Sequence, residues 1–484
     1  MAARNVRHKP LKADAAKRSA VGTGARAHNG RAERYRPLPT GTHGLDPELV
    51  KRDQRERLQK AMIELIGEKG YPGVRIVDLA KLAHVSQPTF YSLYADKEDL
   101  FLSTYDEVAE RAARAVIAAY EADGTPEERV VAAMRAFGEL AAAEPDTTSL
   151  LVLGAFGAGG SALERRKRAV GALERSMYAR RDGAPTDEPT DLTIKFVVGG
   201  IREVTATRLR SGHAGDLPAL AGELARWAAC YRRRLPAGLE AAPAARPSPA
   251  GASVPIASER ARRAEGRLPS GRSDLPRQVI VKSQRERIVD ATAAIVAEKG
   301  LAALTIPEIA RRANVSHQTF YDIYASKHEA FLGAQKVGLH QALGVAVEAY
   351  EAQGADWPRA VAAGARALIE YLASEPAHAH LTLVDTFAAC PEAIEIRNAG
   401  VQAFAAYLCP GYELGSDEVQ APAVAAEAVA GGIWEIFHHY IENDCITELA
   451  STVPQVTYFA LLPFLGPIEA AAVARQSLAE LDSA

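Results

Sequence analysis

The sequence predicts an all-α fold made of two tandem units, each a three-helix helix-turn-helix head followed by a helical-bundle body. Three observations predict it. Apolar residues recur at i, i+3, i+4, i+7 and i+8, as in Leu58, Ala61, Met62, Leu65 and Ile66, which is one face of a helix. No run of alternating apolar residues is long enough to argue a sheet. The stretch Ser86-Gln87-Pro88-Thr89-Phe90-Tyr91-Ser92-Leu93-Tyr94-Ala95-Asp96-Lys97 returns 230 residues later as Ser316-His317-Gln318-Thr319-Phe320-Tyr321-Asp322-Ile323-Tyr324-Ala325-Ser326-Lys327. Aligning 54–101 with 284–331 gives 20 identities in 48 positions. A repeat of that length is a duplicated domain, since solenoid units run to about 20–50 residues.

Residues 1–48 form the first segment. They carry few large apolar side chains, and residues 1–40 hold ten Lys/Arg against Asp14 and Glu33. This reads as a disordered basic arm, able either to stay solvated or to neutralise phosphates. The first head spans 49–98. Its first helix covers about 50–69 and ends at Gly70, as the corresponding helix ends at Gly300. A short amphipathic helix, Ile76 to Ala83, follows. His84 and its counterpart Asn314 then stand where such turns need a positive φ; both residue types tolerate it. Ser86 is a natural N-cap, and Pro88 sits in the first turn, where a missing N–H costs little. In the second copy, Thr305 with Glu308 fits a capping box. The first copy has Arg75 there and no side-chain cap, a difference worth about 1 kcal/mol.

The first body spans 99–234. A long helix from Lys97 to Tyr120 is broken by Gly124-Thr125-Pro126. Helices are expected near 127–143, 147–158, 161–181, 191–211 and 217–234. Residues 235–278, rich in Ala, Pro, Ser and Arg, read as a linker. The second head spans 279–328 and the second body 329–484. The second body echoes the first: Glu144-Pro145 with Glu375-Pro376, and Gly199-Gly200-Ile201-Arg202-Glu203 with Gly431-Gly432-Ile433-Trp434-Glu435.

The motif Val-Ser-x-x-Thr-Phe-Tyr-x-x-Tyr-x-x-Lys follows a short Ile/Leu-Ala helix and a longer one ending Glu-Lys-Gly. It resembles the DNA-binding domain of the tetracycline-repressor (TetR) family over about 50 residues of each half. The resemblance implies a DNA-binding transcriptional regulator whose bodies take a small apolar effector. It implies phosphate contacts by Tyr91 and Tyr321 and by Lys97 and Lys327, which set register without reading sequence. Arg75 and its counterpart Thr305 join the expected DNA-binding residues. Base edges fall to Gln87, Pro88, Thr89 and Ser92 in the first head, and to His317, Gln318, Thr319 and Asp322 in the second. Gln suits adenine, Asp accepts from cytosine N4, and Thr or Pro touches a thymine methyl. Phe90, Tyr94, Phe320 and Tyr324 face the head cores by spacing and by resemblance. Family members dimerise through their last two helices. Here that implies pairing of 191–211 and 217–234 with 421–442 and 449–465, through Val198, Ile201, Val429 and Ile433. The partners expected are operator DNA, the effector, and the other half of the same chain or a second chain.

Other features carry less. Net charge is −3, so no global basic field exists. The four cysteines form no C-x-x-C pair, and no signal peptide, cofactor loop or membrane span of 18 or more apolar residues is visible. A reducing cytosol and a non-enzyme without cofactor are the expectation. Arg165-Arg166-Lys167-Arg168 reads as a solvated helix face, Gly157-Ala158-Gly159-Gly160 as a helix break, and His378-x-His380 and His438-His439 as surface or pocket histidines. The rival reading is a small-molecule sensor or assembly protein in which one or both heads no longer bind DNA.

Overall fold

The computed structural model describes residue 35 and residues 46–178, 190–240, 276–414 and 419–482. Among these residues the regular structure is helical throughout. The chain divides into two compact units: Met1–Lys69 with Gly73–Thr104, and Gly70–Pro72 with Tyr105–Ala484.

The first unit is the first head. Helix α1 (Pro47–Gly73) buries Leu58, Ala61, Met62 and Leu65, the face expected from their spacing, and its helical path breaks at Gly70 (φ 67°). Helices α2 (Ile76–Leu82) and α3 (Gln87–Leu93) follow, and α4 (Lys97–Tyr120) starts in this unit. The 1–48 arm is not free of the head throughout. Tyr35 is buried and its hydroxyl donates to Glu64 at 2.8 Å, and α1 already begins at Pro47; most of the arm lies outside the described residues.

The second unit holds the first body, the second head and the second body. The first body uses the rest of α4, then α5 (Pro126–Ala143), α6 (Pro145–Ser149), α7 (Gly160–Tyr178), α8 (Asp191–Arg210) and α9 (Ala221–Cys230). Helix α5 opens with a full capping box between Thr125 and Glu128. A π-helical turn at Leu150–Gly154 interrupts the stretch expected as one helix over 147–158, and Gly159 (φ 95°) makes the expected break before α7. The helix expected over 217–234 is shorter, preceded by a 3₁₀ turn at Ala214–Asp216. The second head is α10 (Arg277–Lys299), α11 (Ile306–Ala313) and α12 (His317–Ile323). The second body comprises α13 (Lys327–Glu351), α14 (Trp357–Ser374), α15 (Pro376–Leu383), α16 (Thr386–Ala389), α17 (Pro391–Ala406), α18 (Gly411–Leu414), α19 (Ala425–Glu442) and α20 (Val453–Asp482), the last kinked at Gly466.

The broadest helix–helix contact in this unit is α8 against α19. It is reciprocal. A Cβ added at Gly199 would collide with Glu435, and one at Gly431 would collide with Glu203. Gly200 faces the Trp227 ring and Gly432 the Phe196 ring in the same way. The repeated Gly-Gly pairs thus let two backbones approach where any side chain would force them apart. Around the crossing, Phe196 stacks on Phe459 with centroids 4.7 Å apart, and the Tyr231 hydroxyl donates to the Phe459 carbonyl at 2.9 Å. Leu235 and Leu239, at the start of the expected linker, are buried, and Gln455 donates to the Leu239 carbonyl at 2.7 Å. The remainder of that linker falls outside the described residues.

The charge run in α7 is not a solvated face. Arg166 is buried and reaches Glu435 at 3.1 Å, Lys167 reaches Glu442 at 3.3 Å, and Arg165 pairs with Asp106. Arg397 of α17 makes the matching reach to Glu203 at 2.6 Å. Two of the histidines are likewise interior: His378 lies 3.2 Å from Asp290, and His438 is buried on α19. One stretch, 446–479, is long and apolar enough for a membrane span by composition, but two-thirds of its most apolar window is buried in this core (67%).

Candidate nucleic-acid interfaces and a buried cavity

Each head positions its third helix by the same devices. In the first, Arg57 donates to the carbonyls of Ala83 and His84, the latter at 3.1 Å, and is held by Asp53 at 2.8 Å. In the second, Arg287 donates to Ala313 and Asn314 at 2.9 and 3.0 Å. These charge-assisted bonds staple the first helix to the turn. At that turn His84 (φ 52°) and Asn314 (φ 51°) take the left-handed conformation their residue types suggested. Ser86 and Ser316 then cap α3 and α12, accepting from the Thr89 and Thr319 N–H at 3.2 and 3.0 Å. Phe90, Tyr94, Phe320 and Tyr324 are buried, which fixes the rotation of each helix about its axis. The sequence reading passed over Arg57 and Arg287; their signal was the identical Gln-Arg-Glu-Arg in both copies.

That rotation leaves one face outward. Gln87, Pro88 and Ser92 are exposed with Thr89 half-buried, and His317, Gln318 and Asp322 are exposed with Thr319 half-buried. Tyr91 and Tyr321 stand 57% and 55% exposed, unusual for tyrosine and suited to a flat polyanion at the helix flank. The two faces differ in readiness. Gln318 donates to Asp322 at 3.0 Å, so two expected base readers hold each other, whereas Ser92 turns back to the Thr89 carbonyl at 2.7 Å.

Lys97 and Lys327 each donate to a backbone carbonyl of their own head, Val74 at 3.1 Å and Leu304 at 2.9 Å. Each contact fixes the lysine side chain against its own head. Partial burial lowers the Lys97 pKa. Arg75, without a side-chain cap as expected, bonds Asp78 at 3.1 Å instead. Thr305 caps α11, but the box is only half formed: Glu308 turns to Arg311 and Lys299, at 2.8 and 2.9 Å. Hydrogen bonds from Arg311 and then Lys299 hold its carboxyl down at about 2.

Of the expected pairing residues, Val429 and Ile433 are buried within the core that spans both bodies. Val198 and Ile201 are half-buried and line a cavity of about 300 Å³ in the first body. The cavity runs between α4, α5, α7 and α8. Its walls are mostly Ala, Val, Ile, Leu, Met and aromatic side chains, with Arg166 of α7, Arg202 and Thr205 of α8, and Arg232 just past α9 among them. Burial pushes the Tyr105 hydroxyl on its wall up to about 12, so it stays a neutral donor.

A stapled turn, a capped third helix and its outward polar face define a helix-turn-helix nucleic-acid-binding domain, present twice. Both copies match the family described as "Bacterial regulatory proteins, tetR family", over residues 59–104 and 288–333, so the chain carries two domains of that family in tandem. Similar solved structures include the fatty acid degradation regulator FadR from Bacillus halodurans (17% identity, TM-score 0.33, 38% of this chain and 96% of that one). FadR from Bacillus subtilis, in complex with stearoyl-CoA, is also similar (19% identity, TM-score 0.31, 36% and 96%). So is a TetR family transcription regulator from Marinobacter aquaeolei (17% identity, TM-score 0.30, 37% and 96%). Among curated proteins there is no match.

Proposed function

We propose that the chain is a ligand-responsive transcriptional repressor of the cytoplasm, not an enzyme, in which the two tetR-type units pair with each other and bind one operator as a single chain. The observation that carries this reading is the reciprocal crossing of α8 and α19, Gly199 against Glu435 and Gly431 against Glu203. A two-fold interface between identical subunits has this reciprocity, residue i meeting j and j meeting i; a fused pair retains it as an approximate symmetry. Val198, Ile201, Val429 and Ile433 belong to the paired helices, and tethering favours pairing within the chain over pairing between chains.

On DNA, Tyr91, Tyr321, Lys97 and Lys327 hold phosphates, with Arg75 and Thr305 at the starts of α2 and α11. Gln87, Pro88, Thr89 and Ser92 read one half-site, and His317, Gln318, Thr319 and Asp322 the other. Because those residues differ, the operator is lopsided. A small molecule in a body acts by binding the DNA-incompetent state more tightly, since equal affinity for both states moves nothing. Light scattering of the free protein, followed by footprinting with each recognition helix altered separately, tests the reading. A mass of one chain, 51.7 kDa, is expected, with each alteration erasing one half of an asymmetric footprint. A mass of two chains with a palindromic footprint would overturn it.

A further inference from the structure

The two bodies share a crossing but not a cavity. Among the described residues, the places in the second body that match the walls of the 300 Å³ cavity border two separate voids of about 60 and 30 Å³. Carrying the repeat through the bodies shows why. Ala109 and Ala113 on α4 correspond to Leu339 and Leu343 on α13, 230 residues on. Arg202 and Thr205 on α8 correspond to Trp434 and Phe437 on α19, 232 residues on. All four larger side chains border the remnant voids. An alanine-to-leucine or threonine-to-phenylalanine change fills the volume a ligand would need, and an interior at normal packing density does not reopen it without loss of contacts. Trp434 also serves the pairing, with the Arg397 guanidinium stacked 4.3 Å from its ring.

The open cavity has a charge of one sign on its wall. Arg166, Arg202 and Arg232 line it, and among the described residues no Asp or Glu does. Arg166 and Arg202 are both buried, and both lean on Glu435 of the other body, at 3.1 and 3.2 Å. Burial lowers Arg202 to about 10, against the pull of Glu435, which still leaves it a cation at neutral pH. Guanidiniums set beside an apolar chamber suit a ligand with an apolar body and one anionic group.

We infer that the chain carries one effector site, not two, located in the first body, and that it takes an amphipathic anion whose head group lies at Arg166 and Arg202. The second body is a permanently filled partner. Glu435 connects the two: it sits on the second body's α19, and an anion at Arg166 and Arg202 competes with it for the same guanidiniums. Occupancy therefore acts on the crossing itself. This deepens the reading above and rests on it only for the effect on DNA.

The test is calorimetry on the full chain without DNA, using dodecanoate, 1-dodecanol and dodecylammonium as probes. One equivalent of dodecanoate per chain is expected, at least tenfold tighter than dodecylammonium. The Ala109→Leu, Ala113→Leu double variant copies the residues of the second half, so it should fold normally and lose binding at least tenfold. Arg202→Met should lose the preference for carboxylate over alcohol while still binding the alcohol. Two equivalents per chain, no preference against the ammonium, undiminished binding in the double variant, or no binding of any probe overturns the inference. If binding follows expectation but dodecanoate leaves an operator gel shift untouched, the repressor reading fails and the site stands.

Discussion

The two heads and the two bodies have aged differently since the duplication. Between the heads, most of the parts that set the backbone are matched: the Arg57 and Arg287 staples, the left-handed His84 and Asn314, the Ser86 and Ser316 caps. What differs is the outward face. Between the bodies, the crossing at Gly199, Gly200, Gly431 and Gly432 is matched, and what differs is the interior. In both cases the residues that decide where backbones go are paired, while positions on the outward face of the heads (Gln87/His317, Pro88/Gln318, Ser92/Asp322) and in the interior of the bodies have diverged. That is the pattern expected when two equivalent frames are kept for geometry and released for recognition.

The largest effect should come from breaking the shared frame of the bodies. Gly199→Val and Gly431→Val each drive a branched side chain into a backbone and a glutamate stem. Overpacking of this kind costs about 1–3 kcal/mol or more. Because the contact is reciprocal, the two variants should lose stability in denaturant unfolding by similar amounts, about 3 kcal/mol, while Gly222→Val, with open space at its Cβ, should lose less than half of that. A large loss in only one of the first two would show that the crossing is not symmetric in energy.

How much of this was legible in the sequence differs by level. The heads were legible because their signals are local: helical spacing in Leu58 to Ile66, Ser caps three residues from the N–H groups that donate to them, and a positive-φ residue type at the turn. The Gly-Gly repeats were visible as an echo, but not as an approach of two backbones, since Glu435, Glu203 and Phe196, which meet Gly199, Gly431 and Gly432, lie over 200 positions away. Arg165 to Arg168 looked solvated for the same reason: Glu435, 269 positions from Arg166, gives no local sign. The cavity was illegible because a void is a property of packing, and only the alignment of Ala109 with Leu339 and Arg202 with Trp434 hints at it afterwards.

The next effect sharpens the likeness of the heads. Arg57→Met and Arg287→Met each strand two turn carbonyls that now accept from a guanidinium. Hydrogen bonds from charged groups contribute about 1.5–3 kcal/mol. Arg57 is buried and also paired with Asp53, so its loss should reach the upper end and that of Arg287 the lower. Hydrogen exchange at Val85 and Val315, whose N–H groups close the turns, would read this out head by head. Equal protection in both variants and wild type would mean that the staple is idle.

A third test separates α19 from α8 through pH. Burial lowers His438 to about 3, with Arg166 and Arg202 pushing the same way against Glu435. The folded state then binds fewer protons than the unfolded chain between about pH 3 and the ordinary histidine value near 6.5. Stability therefore falls as pH drops through that window, by up to about 1.4 kcal/mol per pH unit. The position matching His438 on α8 is Ala206, so this sensitivity belongs to one helix of the crossing. His438→Gln should flatten the slope between pH 6 and 5 in urea titrations; an unchanged slope would assign the acid sensitivity elsewhere.

The smallest effect concerns a frame-setting feature the heads do not share, the cap of their second helix. Thr305 caps α11 with its hydroxyl, while Arg75 gives α2 no cap and bonds Asp78 from the surface. Side-chain caps contribute about 0.5–2 kcal/mol, and an exposed ion pair such as Arg75–Asp78 contributes little because solvent screens it. Exchanging them should therefore move the heads in opposite directions. Arg75→Thr is expected to stabilise the first head by a few tenths to about 1 kcal/mol, and Thr305→Arg to destabilise the second by about 1. Binding gives the sharper contrast. If Arg75 stands where it does to meet a phosphate, Arg75→Thr will weaken DNA binding and lower the salt slope by about one, even as the head itself becomes more stable. A variant more stable and equally tight on DNA would show that Arg75 is simply an uncapped surface residue, and that the two heads differ there by drift.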